Sequence, residues 1–119
     1  MKWYLAKLIY RIICGEGVHK PQFDEQLRLI LAEDDFHAFQ KARLIGEKEE
    51  DKFYNETKKP VQWKFIDITE LHPLSDLTDG VEIYSKIGEK EDAINYINQV
   101  SVRSKYLHDT CLEKYFDVN

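Results

Sequence analysis

Basic clusters, cysteines and long apolar runs are all scarce in this chain of 119 residues. Each scarcity sets aside a class of function. Lys58-Lys59 is the one compact basic element, against a net charge of −5 with acids and bases interspersed. A protein that neutralises several phosphates needs a basic face, so nucleic acid is not an expected partner. Cys14 and Cys111 stand far apart and match no zinc spacing, and they read as reduced side chains rather than a disulfide framework. The four histidines, His19, His37, His72 and His108, fall in different elements without ligand spacing. Neither a metal nor another cofactor is therefore expected. No run is long enough to span a membrane, so no membrane partner is expected. The opening MKWYLAKLIYRII is interrupted by Lys7 and Arg11, and no small-residue cleavage site follows it. The expected setting is the cytoplasm.

What is present is ordinary globular material: 43% hydrophobic and 33% charged residues, with a 13% aromatic share that includes Trp3 and Trp63. The length suits one domain, residues 1–119. Trp3 to Cys14 reads as a strand. Its even positions, Tyr4, Ala6, Leu8, Tyr10, Ile12 and Cys14, are almost wholly apolar, and its odd positions are mostly apolar with Lys7 and Arg11 among them. Such a strand belongs in the centre of a sheet, covered on both sides.

Phe23 to Ala32 alternates, with Phe23, Leu27, Leu29 and Leu31 on one side and Gln22, Asp24, Gln26 and Arg28 on the other. This is the pattern of a half-buried edge strand. Placing both apolar faces together pairs odd positions of the first strand with even positions of the second. Arg11 then lies near Gln26 and Asp24. Asp34 is the expected N-cap of a helix whose Phe36, Phe39, Ala42 and Gly46 face the sheet, Gly46 permitting close packing. Residues 47–51 read as its solvated end and 55–60 as a loop.

Val61 to Leu71 is a further strand whose phase slips near Phe65-Ile66, through a bulge or through burial on both sides. Asp79-Gly80 signals a turn before a fourth strand, Val81 to Ile87. From Glu89 to about Phe116, Ala93, Ile97, Val100, Ser104, Leu107 and Cys111 recur at helical spacing. The expected fold is α+β, a ββαββ core over 1–87 with a C-terminal helix over 88–119. A right-handed crossover that skips the first strand gives a four-stranded antiparallel sheet of order 2-1-3-4. The first helix covers one face, and the last helix or a second subunit covers the other.

The stretch RIICGEGVHKPQFDEQ gathers a cysteine, a histidine, two glycines and adjacent carboxylates. Gly15-Glu16-Gly17 leads into a strand, not a helix, so it reads as a hairpin loop and not a phosphate cradle. Cys14 and His19 have the chemistry of a nucleophile and a base, but a thiol on a core face is inert. No catalytic set emerges. Glu25 is the one carboxylate on the apolar side of its strand. It is either a residue at the rim beside the loop, paired with a loop or helix-end group, or a desolvated acid of raised pKa. With Arg11, His19, Asp24, Gln26, Arg28 and Trp63 it makes up the candidate binding set.

Four stretches resemble a family labelled domain of unknown function 4288: WYLAKLIYRIICG from Trp3, FDEQLRLI from Phe23, WKFIDITEL from Trp63 and DGVEIYS from Asp79. The resemblance covers about residues 3–87 and implies a small soluble bacterial protein, with no activity or site residues attached. It makes the last helix an appendage to the domain proper.

The leading functional expectation is a non-enzymatic binding or interaction protein. It would self-associate through the sheet or last helix, or capture a protein partner at the edge strand. The alternative is a small-molecule binder or cryptic enzyme at the loop rim near Glu25, His19 and Arg11, with Trp63 as an apolar wall.

Overall fold

The computed structural model describes residues 1–117. Its elements are β1 (Lys2–Cys14), β2 (Gln22–Ala32), α1 (Asp35–Lys48), β3 (Asp51–Tyr54), β4 (Pro60–Pro73) and α2 (Ala93–Asp117). The chain divides into two compact units, Met1–Ile83 and one that begins at Tyr84.

The first unit holds a four-stranded antiparallel sheet of order β2-β1-β4-β3. As expected, β1 is central, β2 takes one edge, and the strand read at Val61 to Leu71, here β4, lies on β1's other side. The outermost place is filled differently. Residues 81–87 form no strand, although the turn at Asp79-Gly80 is there, with Gly80 at φ 82°. Asp51–Tyr54 takes the place instead, pairing with residues 60–63 of β4. The turn between them explains why. Asn55 Oδ1 accepts hydrogen bonds from the backbone N–H of Thr57 and of Lys59, both at 3.0 Å. That closes a short hairpin whose turn satisfies its own backbone donors.

The phase slip in β4 is a bulge. Register shifts fall between Lys7 and Leu8 and between Ile9 and Tyr10 of β1, so that Thr69 and Ile66 of β4 are skipped. Ile66 is consequently 49% exposed. The extra residues let the strand change which residues it turns toward the core without leaving the sheet.

The core lies between sheet and α1: Tyr4, Ala6, Leu8 and Tyr10 of β1, Ile30 and Ala32 of β2, Phe65 of β4, and Ala38 and Ala42 of α1. Asp34 caps α1 as expected, Oδ1 accepting from His37 N at 2.8 Å. The helix face is rotated from the expected one. Ala38, Ala42 and Gly46 are buried, while Phe36 is 65% exposed. The sheet supplies the bulk through Tyr4, Tyr10 and Phe65, so the helix must supply small residues to keep interior density.

The register of β1 against β2 also differs. Even positions face even positions, Tyr4 opposite Ile30 and Tyr10 opposite Asp24. Asp24, Gln26 and Arg28 therefore share the helix side, and Phe23, Leu27 and Leu29 share the other. Lengths give the reason. A helix of 14 residues spans about 21 Å, while a strand of 11 residues spans about 36 Å. Running back from the end of β2, α1 covers only the part that includes Ile30 and Ala32. The remainder of that face has no helix above it and is free to be polar.

In the second unit, Asp92 Oδ1 accepts from Asn95 N at 3.1 Å near the start of α2, a helix of 25 residues. No described helix is long and apolar enough to cross a membrane.

Candidate functional site

Beyond the C-terminal end of α1, the polar half of β2 forms a hydrogen-bonded row. A strand repeat of two places Asp24, Gln26 and Arg28 side by side on one face. Gln26 Nε2 donates to Asp24 Oδ2 at 2.7 Å, and Arg28 Nη2 and Nε donate to Gln26 Oε1 at 2.7 and 3.1 Å. Arg28 Nη1 reaches Glu49 Oε2 at 2.7 Å just past α1. From β4, two strands away, Trp63 Nε1 donates to Asp24 Oδ2 at 3.2 Å. Phe53 of β3 stacks on Trp63, ring centroids 5.9 Å apart and planes at 21°.

Tyr10 forms the floor of a cleft of about 270 Å³ bordered by these side chains. Its hydroxyl donates to the carbonyl of Gly46 at 2.9 Å. Burial raises the Tyr10 phenol above its ordinary pKa, and the Glu49 carboxylate adds to the rise.

The opposite face carries a different polar group. Lys7 lies 3.3 Å from Glu25 and 3.2 Å from Glu70, and Glu70 also meets His72 at 3.2 Å. Hydrogen bonds to Glu70 and then Glu25 raise the Lys7 pKa. His72 and then Lys7 lower that of Glu70. Glu25 has a side chain 60% exposed, and its partner is Lys7 within β1, not a loop or helix-end group. Arg11 is on this face too, directly opposite Phe23 and Lys64, with its Nε buried and without a hydrogen-bond partner.

His19 stands apart in the β1–β2 loop. Its Nε2 accepts from the backbone N–H of Cys14 at 3.0 Å and its Nδ1 lies 2.9 Å from the carbonyl of Lys20. The tautomer with Nδ1–H donating satisfies both contacts. Both nitrogens serve the backbone, leaving neither for the Cys14 thiol. A hollow of about 720 Å³ lies between His19, Val18 and Pro60.

The candidate set thus divides. Asp24, Gln26, Arg28 and Trp63 meet on the helix side, Arg11 and Glu25 lie on the other face, and His19 is in the loop. Glu49, Phe53 and Tyr10 join the first group without having been singled out. The charge opposition of Arg28 and Glu49 and the aromatic Phe53-Tyr54 pair after the helix were the available signals.

The remaining feature is the outer edge of β2, which faces no other strand among the described residues. Over eleven residues, from Gln22 to Ala32, it holds no proline, and its pairing with β1 runs without a register shift. Phe23, Leu27 and Leu29 are 56%, 49% and 47% exposed along it.

Residues 3–85 match the family model described as Domain of unknown function (DUF4288). The chain belongs to the DUF4288 family. The match takes in the sheet and α1, so the row on β2, the cleft and the free edge all lie in the DUF4288 region, and it ends before α2. No curated protein and no solved structure matches the chain.

Proposed function

We propose that this DUF4288 domain is a non-enzymatic interaction module that takes up another polypeptide as an added strand on β2. The carrying observation is the long, bulge-free edge of β2. Soluble proteins ordinarily blunt such an edge with proline, a bulge, a cover or charged side chains, and of these β2 carries only the charges of Asp24, Glu25 and Arg28. An added strand gains a ladder of main-chain hydrogen bonds, each worth about 0.5–1.5 kcal/mol net. It also gains side-chain sites on alternate faces: the Phe23–Leu27–Leu29 side and the Asp24–Gln26–Arg28 side. The candidate polar groups support binding over chemistry, since His19, Asp24 and Arg28 are each already engaged by neighbours.

The test is a native mass spectrum of the protein recovered gently from its own cells. Wild type is expected to carry a second polypeptide, and Leu27→Pro, which removes a backbone donor from the free edge, is expected to lose it. A wild-type protein that retains no polypeptide would sink the proposal. A second reading, a small-molecule site, is favoured by the hollow beside His19. A small added mass in the same spectrum, lost on His19→Ala, is its expected signature.

A further inference from the structure

We infer that the strand added to β2 is β2 of a second copy of this chain, running antiparallel about a two-fold axis at Gln26. The inference rests on the strand-addition proposal and supplies its partner.

Symmetry limits how two copies of one strand can pair. Residues directly opposite one another in an antiparallel ladder share a face, so the axis must pass through a residue and its own copy. Near the middle of β2 there are three choices. An axis at Glu25 sets that carboxylate against itself, which is unfavourable. An axis at Leu27 sets Asp24 against Ile30 and Arg28 against Gln26, so it pairs no opposite charges. An axis at Gln26 sets Asp24 of each copy against Arg28 of the other on the helix side. On the far side it sets Phe23 against Leu29, the two being 56% and 47% exposed, and Glu25, which is held by Lys7, against Leu27.

That register is self-complementary twice over. It forms two symmetric carboxylate–guanidinium pairs and two symmetric aromatic–aliphatic pairs, the kinds of cross-strand neighbour that stabilise a sheet. The groups retain capacity for it. Both hydrogen bonds to Asp24 fall on Oδ2, leaving Oδ1 for the copy. Arg28 uses Nε, Nη1 and Nη2 within its own chain, yet its guanidinium has five N–H donors. The internal bonds hold both side chains in place at the edge, which lowers the ordering cost of pairing. The product is one continuous eight-stranded sheet.

The charge pattern supplies a test specific to this register. Wild-type full-length chain is expected to sediment as a dimer at concentrations of tens of micromolar. Asp24→Arg and Arg28→Asp each place like charges opposite one another twice, and each is expected to weaken dimerisation at least tenfold. Mixing the two variants sets every cation of one against an anion of the other. A 1:1 heterodimer is the expected result, and its formation shows that both variants fold. The double variant is expected to dimerise with itself again. Should either single variant fail to fold, Gln26→Cys in a Cys14→Ser, Cys111→Ser background is expected to form a disulfide-linked dimer on mild oxidation.

A dimer that both single variants retain would overturn the inference. So would a mixture that does not associate, or a Gln26→Cys chain that does not cross-link. A wild-type monomer that nevertheless carries a different polypeptide on β2 overturns the second copy while leaving strand addition standing. A wild-type monomer carrying none overturns both.

Discussion

Replacing Gly46 by alanine is expected to destabilise the sheet unit, although alanine is the better helix former by about 1 kcal/mol. A methyl at that position would meet Phe65 at Cε1, Cζ and Cδ1, the last only 2.6 Å away. Carbon atoms pack comfortably at about 3.5–4.0 Å. The ring cannot swing clear, because Phe65 is 9% exposed and tilts against Tyr10 with centroids 5.5 Å apart. Lifting the helix instead would stretch the hydrogen bond from Tyr10 to the Gly46 carbonyl, worth about 1 kcal/mol. Overpacking of a closed core costs about 1–3 kcal/mol. Setting the propensity gain against these terms leaves a net loss of about 1–3 kcal/mol. Urea unfolding followed by the fluorescence of Trp3 and Trp63, both within Met1–Ile83, measures it. With a slope of about 1–1.5 kcal/mol per molar, the midpoint should fall by roughly 0.7–3 M. In a Phe65→Leu background the same change should cost clearly less. A Gly46→Ala protein as stable as wild type would refute the reasoning, and would mean that α1 is not seated this close to the sheet.

Asp34→Ala is expected to cost about 1 kcal/mol in the same unfolding assay, and Asp34→Asn much less, since asparagine caps nearly as well. Leu8→Ala, at a site 0% exposed, is expected to cost about 2–5 kcal/mol. On acidification, Asp67 and Glu70 matter because their partners lower both pKa values, chiefly Arg43 for Asp67 and His72 for Glu70. Their contribution is full above the ordinary carboxylate range and is lost as pH falls through the lowered values, so Glu70→Gln should flatten the acid limb of a stability–pH profile. At the alkaline end the sign is reversed. Lys7 and Tyr10 have raised pKa values, so their contribution is full below about pH 10 and is lost above it as each deprotonates, and Tyr10→Phe should shift that limb.

The central place of β1 was legible because both of its faces are apolar, and no edge strand can hide two. The identity of the polar cluster was partly legible for a similarly local reason: Asp24, Gln26 and Arg28 recur at the strand repeat and had to share a face. Which face was not legible. An alternating strand conventionally turns its leucines inward, but here the inward residues are set by how far α1 reaches along β2, a tertiary length that alternation does not encode. Trp63 could not be assigned to Asp24 either, since the two lie two strands apart and meet only across β1. Glu25 separates from Asp24 because neighbours in a strand point oppositely, and its partner Lys7 became identifiable only once the register was known. The fourth strand was missed because Phe53-Tyr54 is too short to show a period, while Val81–Ile87 shows one without being a strand. The side chain of Asn55, folding its own turn, outweighed the longer apolar run.

The two edges of the sheet are not equivalent. Along β4 the skipped residues Ile66 and Thr69 break the ladder, and β3 pairs with only its first four residues, Pro60 to Trp63. That edge is interrupted and partly occupied, whereas β2 pairs with β1 without a register shift and has no described strand beyond it. Sheets with two straight edges can stack side by side without end, which is how ribbons and fibrils grow. A sheet with one usable edge can be joined only once, and joining consumes the edge. On the proposed pairing of two copies through β2, the sheet is extended once, and the bulges of β4 oppose further growth.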